Sequence, residues 1–253
     1  MRLTFLGSGT SGGVPLLGCQ CEVCRSDNPK DKRLRTSIML EWDKKRVVVD
    51  SGPDFREQMM REDARYLDAI VFTHSHRDHT AGLDDIRSYN FLQKADMPLY
   101  LNEKTLKILK RQFEYIFEPN PYPGVPKVDL NIIENKPFKV FDTVWQPILV
   151  LHHKMEVYGF RIGDFTYITD ANYISDEEKE KIKGTKTLVL NALRKEKHLS
   201  HFNLDQAVEL VNEFSPEKAY FTHISHQMGK HADIQKTLPE NIFLAYDGLK
   251  VEL

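Results

Sequence analysis

Short runs of β-branched and apolar residues recur along this chain, separated by segments whose apolar residues return every three or four positions. The runs Arg2–Leu6, Ser37–Glu41, Arg46–Asp50, Ala69–Thr73, Leu99–Leu101, Val157–Ile162, Phe165–Thr169, Thr187–Leu190 and Ala219–Thr222 predict strands. Helical periodicity predicts helices over Phe55–Glu62, Thr80–Phe91, Glu103–Phe117, Asp176–Lys183 and Leu204–Phe214. The last stretch, Ile242–Leu253, reads as two strands around an Asp247-Gly248 turn. This order, strand pairs mixed with strand–helix alternation, favours α/β layers over an all-β sandwich. Against that rhythm stands Phe117–Asp129, whose four prolines and one glycine predict a loop or insertion.

A length of 253 residues suits one large domain or two small ones, and 41% hydrophobic residues suffice for a sizeable core. The formal charge of −2 gives no footprint for duplex nucleic acid or an anionic membrane, though a local basic pocket for one small anion is compatible with it. The apolar start Met1–Leu6 is too short for a signal-peptide core, and no apolar run approaches the roughly 20 residues of a membrane span. The expectation is an unexported, cytoplasmic protein. Its three cysteines, Cys19, Cys21 and Cys24, are odd in number and crowded together. In a reducing compartment that spacing points to metal more than to disulfides, which would be strained and leave one thiol over.

The densest chemistry lies in Ala69–Gly82, which runs from a buried strand through a loop into a helix. A strand end is where a rigid scaffold can aim several side chains at one point. His74, His76, Asp78 and His79 fall within six positions there, and imidazole and carboxylate are natural ligands for zinc, manganese or iron. A solvated histidine-rich turn is the plain alternative. Three of the ten histidines in one such stretch argue against it.

The pattern His74-x-His76-x-Asp78-His79, in that strand–loop–helix context, resembles the HxHxDH signature of the metallo-β-lactamase superfamily. The resemblance implies an α/β fold, an αββα sandwich of two mixed β-sheets flanked by helices, formed by residues 1–253 as one domain. It also implies two divalent catalytic ions, zinc or manganese with iron as a third candidate. His74, His76 and His153 would hold one ion, Asp78, His79 and His223 the other, and Asp170 would be shared. His153 has a rival in His152; the family's spacing, seven residues before the aromatic that follows Gly159, selects His153. Taken alone, Asp170 could be a helix N-cap and His223 a core histidine. Asp50, closing a strand before Ser-Gly-Pro, reads as an orienting group rather than a ligand.

Two further features narrow the resemblance. The cysteine cluster follows Gly7-x-Gly9-Thr-x-Gly12-Gly-Val-Pro, and Thr222-His223-Ile-Ser-His226-Gln stands near the end. Together they are similar to the branch containing phosphoribosyl 1,2-cyclic phosphate phosphodiesterase. That likeness implies a structural zinc on Cys19, Cys21, Cys24 and His226, closed and chemically silent. It implies opening of a small cyclic phosphate ester by a hydroxide shared between the two ions, with Asp78 in the catalytic centre. His201 would contact a substrate phosphate or protonate the leaving oxygen, unless it is an ordinary surface histidine before a helix. The expected partner is a small phosphate ester, with no membrane and no nucleic acid, and a homodimer is left open. Phe117–Asp129 and Asn191–Arg194 depart from the branch's pattern, so the reaction class carries over further than the substrate. The competing classes are a tRNA 3′-end nuclease, a thioester or lactone hydrolase, and a carrier-type protein of cofactor biosynthesis. The first has a basic arm absent here, and the carrier has a degraded ligand set.

Overall fold

Along Arg2–Gly7, Leu3 and Phe5 pack into one apolar cluster and Leu6 into another, so this strand is covered on both faces. The same double burial recurs through the molecule and produces its layers. The computed structural model describes residues 1–119 and 121–253. Its strands are β1 (Arg2–Gly7), β2 (Ser37–Trp42), β3 (Lys45–Val49), β4 (Ala69–Val71), β5 (Met97–Leu101), β6 (Val128–Ile132), β7 (Phe138–Val140) and β8 (Thr143–His152). They continue with β9 (Met155–Ile162), β10 (Phe165–Tyr167), β11 (Tyr173–Ile174), β12 (Thr187–Asn191), β13 (Lys218–Thr222), β14 (Ile242–Leu244) and β15 (Lys250–Glu252).

One sheet has the order β15-β1-β2-β3-β4-β5-β6; the other runs β11-β8-β9-β10-β12-β13-β14, with β7 added against β8. Both are mixed: β1, β2 and β3 pair antiparallel, whereas β3 to β6 pair parallel. Between the sheets lies a core containing Phe5, Trp145, Phe160 and Tyr167. Outside the first sheet, Phe55–Arg61 and Glu103–Gln112 bury Phe55, Met59, Leu106 and Leu109. Outside the second, Leu204–Phe214 buries Ala207, Val211 and Phe214. The fold is the expected sandwich of two mixed sheets flanked by helices.

Three expectations need correction. Ile242–Leu253 forms two strands but no hairpin, because β14 joins β13 in one sheet while β15 joins β1 in the other. Asp247 sits at the crossing and accepts from Ser8 N and Leu34 N, which ties the crossing to the N-terminal segment. The predicted helix Thr80–Phe91 is broken into Arg77–Thr80, a 3₁₀ turn Leu83–Ile86, and Arg87–Gln93. Gly82 stands at the break, where a Cβ would lie 2.1 Å from the Gly52 carbonyl oxygen. Glu103–Phe117 likewise divides at Phe113. Within the proline-rich stretch, Phe117 ends a helix, Val128 and Asp129 open β6, and Asn120 lies outside the described residues. Among the described residues no helix is long and apolar enough to cross a membrane.

Candidate metal centre

The residues of interest gather where several strands end. Asp50 follows β3, Asp170 lies just beyond β10, and His223 follows β13; all three have left-handed backbone, with φ of 67°, 53° and 56°. Non-glycine residues seldom occupy this region, at a cost on the order of 1–3 kcal/mol each, and such strain concentrates at functional sites. Here it turns Asp170 and His223 toward one point, and Asp50 toward the His79 ring behind it, instead of continuing the pleat.

Asp78, His79, Asp170 and His223 bring one ligand atom each to within 4.8 Å of one another. His79 Nε2 lies 3.2 Å from Asp170 Oδ2, and His223 Nε2 lies 3.2 Å from Asp170 Oδ1. Asp78 Oδ2 is 3.3 Å from His79 Nε2. A second group, His152, Asp170 and His201, meets the same 4.8 Å condition, so Asp170 belongs to both. The His74 and His76 rings lie 6.1 Å and 5.2 Å from the His152 ring, and 4.7 Å from each other.

The histidine beside His74 and His76 is therefore His152, and His153 does not join them. Strand parity explains the correction. Ile148 and Val150 point into the apolar cluster that also contains Phe202, and His152, two residues on, continues that face. His152 pairs with Met155, which leaves His153 and Lys154 as a two-residue hairpin turn. His153 is exposed with φ 57°, its amide donating to Asn172 Oδ1. The period-two run Ile148, Val150, His152 was the available signal, and the family spacing misled by one residue.

Hydrogen bonds fix which ring nitrogen each histidine presents. His79 Nδ1 donates to Asp50 Oδ2 at 2.7 Å, leaving Nε2 directed at the carboxylates. Thr73 gives its amide and its hydroxyl hydrogen to Asp50, both at 2.8 Å. With that hydroxyl committed, His74 Nδ1 donates to Thr73 Oγ1 at 2.9 Å, and His74 Nε2 carries the lone pair. His152 Nδ1 donates to the Ser200 carbonyl at 2.8 Å. Three imidazoles thus present Nε2 to the centre, held by partners of the kind that orient metal ligands. His74 Nε2, His79 Nε2 and His223 Nε2 are buried without a hydrogen-bond partner among the described residues, which normal proteins avoid unless something else fills the place.

Electrostatics tells the same story. Burial works to raise Asp170, but His223 and His79 outweigh it and hold the carboxyl well below the usual range. Asp78 is held low in the same way against its own burial. Conversely, burial opposes charge on His223, yet Asp170 and Asp78 bring it up to about 9; His79 is raised as well. Burial, with His79 beside it, keeps His74 neutral, and burial lowers His152. Two carboxylates, Asp170 buried and Asp78 partly so, are thus compensated by protons on two histidines. A divalent cation compensates them equally and displaces those protons, so the donor set fits one.

His201 is 7% exposed, with ring centroids 4.5 Å from His152 and 4.6 Å from His223, and its Nδ1 has no partner among the described residues. Burial, reinforced by His223, pushes it down to about 2. It stands as a neutral imidazole, where the proton-donor expectation called for an imidazolium.

Cys19, Cys21, Cys24 and His226 form a separate group within 4.8 Å, and all three thiols are free. His226 Nδ1 lies 3.5 Å from Cys19 Sγ and 3.3 Å from Cys21 Sγ. The Cys24 amide, then His226, lowers Cys21 to about 6, while burial lifts Cys24 to about 11. Three sulfurs and one nitrogen are the donor set of a closed structural zinc. The group joins the N-terminal loop to the segment just after His223, where Thr10 N also donates to the Ile224 carbonyl.

Residues 45–224 match the family model of the beta-lactamase superfamily domain. A solved structure, that of a new diphosphatase from the PhnP family, is 42% identical, with a TM-score of 0.93 over 100% of this chain and 97% of that one. The octanoyltransferase of Porphyromonas gingivalis (strain ATCC BAA-308 / W83) is 37% identical over 99% of this chain but only 51% of its own length. This chain spans about half, or less, of the curated relatives it matches. Zn²⁺-bound PqqB from Methylobacterium extorquens, at 18% identity and a TM-score of 0.81 over 100% of both chains, shares the fold. With its metallo-hydrolase fold and these matches, the chain belongs to the β-lactamase superfamily and, within it, to the PhnP family.

Proposed function

We infer that the protein is a two-metal phosphodiesterase acting on a small phosphate ester, either a cyclic phosphate of the phosphoribosyl 1,2-cyclic type or an open diphosphate. The observation that carries this reading is the pair of donor groups sharing Asp170, with His201 packed against residues of both. The 42% identity to a diphosphatase of the PhnP family supports the substrate class.

His74, His76 and His152 would hold one ion, Asp78, His79 and His223 the other, and Asp170 would serve both. Bound there, such ions supply Lewis acidity, offsetting charge on phosphoryl oxygens and acidifying water. The protein's own residues do the rest. Asp50, Thr73 and the Ser200 carbonyl fix three imidazoles before substrate arrives, so little reorganisation is needed during reaction. His201 brings a neutral ring to the same centre. In that state it donates one hydrogen bond to a substrate oxygen, and a phosphate beside it supplies the negative charge that favours its protonation. Full proton transfer to a leaving alkoxide then becomes accessible.

A second reading, an acyl ester or thioester, draws on the 37% identity to a relative named for octanoyl transfer. One screen separates them. Metal-loaded protein is offered bis(p-nitrophenyl) phosphate, 2′,3′-cyclic nucleotides and ADP-ribose alongside an octanoyl thioester and a lactone. Turnover of the phosphodiesters, abolished by Asp170→Ala, is expected. Turnover confined to the thioester or lactone would replace this reading with the second.

A further inference from the structure

The segment Arg194–Ser200, between β12 and the helix Leu204–Phe214, contributes nothing to the centre except the Ser200 carbonyl. Its backbone is nevertheless tied down at the Arg194, Lys195, Glu196, Lys197 and Ser200 carbonyls. Arg194 donates to Gln227 Oε1 at 2.8 Å and to the Lys197 and Glu196 carbonyls at 3.2 Å and 3.4 Å. Asn203 Nδ2 donates to the Lys195 carbonyl at 2.7 Å, and the Ser200 carbonyl receives His152 at 2.8 Å. The side chains of Lys195 through Leu199 are exposed all the same. A loop held this firmly, with its side chains left in solvent, has already met the ordering cost of binding.

What it offers is positive charge. Arg194, Lys195 and Lys197 stand against one acid, Glu196, and among the described residues none of the three cations is in an ion pair. The segment leads to the reacting centre: His198 is exposed and its ring lies 5.3 Å from that of His201, which is buried. His198 is thus on the solvent side of His201. The geometry points to Lys195, Lys197 and His198 as a subsite for a second phosphoryl group of the substrate, beyond the one attacked, with Arg194 as the clamp that positions them.

This rests on the phosphate-ester reading. The chemistry favours a phosphoryl group over a carboxylate, because its three oxygens can engage two ammonium groups and an imidazole together. It disfavours a nucleic acid, which needs an extended basic track, whereas this cationic group is confined to one turn of a chain of net charge −2. The exposed Lys195 and Lys197 side chains also make clean variants.

The test compares fructose 1,6-bisphosphate with fructose 6-phosphate on the full chain, by calorimetric titration and by inhibition of bis(p-nitrophenyl) phosphate turnover. The wild type should prefer the bisphosphate by about tenfold, roughly what one charge-assisted contact confers. Lys195→Ala with Lys197→Ala should reduce that preference to about twofold or less, and His198→Ala should reduce it partly. In all of these kcat/KM for bis(p-nitrophenyl) phosphate should stay within about twofold, because that ester has no second phosphoryl group. Equal affinity of the wild type for both sugars would overturn the proposal, as would an unchanged preference in the double variant. If no phosphodiester is turned over, calorimetry still decides: a preference that disappears with the two lysines upholds the subsite while the reaction assigned above falls.

Discussion

Asp50 Oδ2 accepts a hydrogen bond from His79 Nδ1 at 2.7 Å, and neither side chain has more than 1% of its surface exposed. The same carboxylate takes both the amide and the hydroxyl of Thr73, the residue that orients His74. One buried acid therefore sets ring orientation at both His74 and His79, acting from behind the rings. Burial raises its pKa, and His79 is the largest opposing influence, so the pair is mutually dependent.

Asp50→Asn should leave the fold in place and weaken metal binding by about 10–100-fold, the usual loss when a ligand's outer partner is removed. Competition with a chromophoric chelator measures this directly. Unchanged affinity would show that the His79 ring is held by packing alone.

Chelated protein should show a distinctive dependence of stability on pH. His223 has a folded pKa raised to about 9 from 6.5, so its contribution is fully present below about 6.5 and lost as pH rises through 9. His79, also raised, acts in the same direction. Thermal denaturation of protein stripped of its catalytic ions, with the cysteine zinc kept in place so that Cys21 does not titrate, should thus show Tm falling between pH 6.5 and 9, a fall that reloading the catalytic ions abolishes. A Tm of that stripped protein that is flat or rising across the window would contradict the assigned charges.

His152→Ala should lose one catalytic ion, while His153→Ala should bind both and turn over substrate normally. Elemental analysis after gel filtration gives the count. The reverse result would restore the assignment that motif spacing suggested.

That contrast marks how far the sequence could be read. His74, His76, Asp78 and His79 were legible because they are contiguous and follow a buried strand, so local spacing alone implies convergence. Asp170 and His223 were reached through the family's order of ligands, since a lone polar residue just beyond an apolar strand could equally be a helix cap or a core histidine. His152 needed strand parity over β8, which the unbroken apolar run Ile148–Leu151 hides because it shows no alternation. The Ser200 carbonyl was invisible, since a backbone acceptor has no side-chain signature. Likewise Asp247-Gly248 looked like a hairpin turn locally, and only pairing with β13 and β1 shows its two strands parting to different sheets.

At the cysteine group, Cys24→Ser should release zinc without removing the catalytic ions. Mild chelation of the wild type should do the opposite, because three thiolates and an imidazole leave no exchangeable position. X-ray absorption should give four-coordinate zinc with three sulfurs and one nitrogen. A disulfide among Cys19, Cys21 and Cys24 in freshly purified, reduced protein would sink this assignment.

The role of His201 is separable from metal binding by the choice of leaving group. Because its ring is neutral in the buried site, protonation has to come with the substrate's charge, and its effect should appear in kcat more than in KM. His201→Ala should keep both ions yet lower kcat by about 10²–10⁴-fold for esters that leave as alkoxides, the range of general acid catalysis. For bis(p-nitrophenyl) phosphate, whose leaving phenolate needs no proton, the loss should be far smaller. His201→Gln, which can donate a hydrogen bond but no proton, discriminates further: it should restore KM where the ring only grips phosphate, and leave kcat low where the ring transfers a proton. Equal losses on good and poor leaving groups would defeat the proton-transfer role. Because His201 lies within ligand distance of His152 and Asp170, the metal count of each variant has to accompany the kinetics. An ion missing from His201→Ala would make this histidine a ligand.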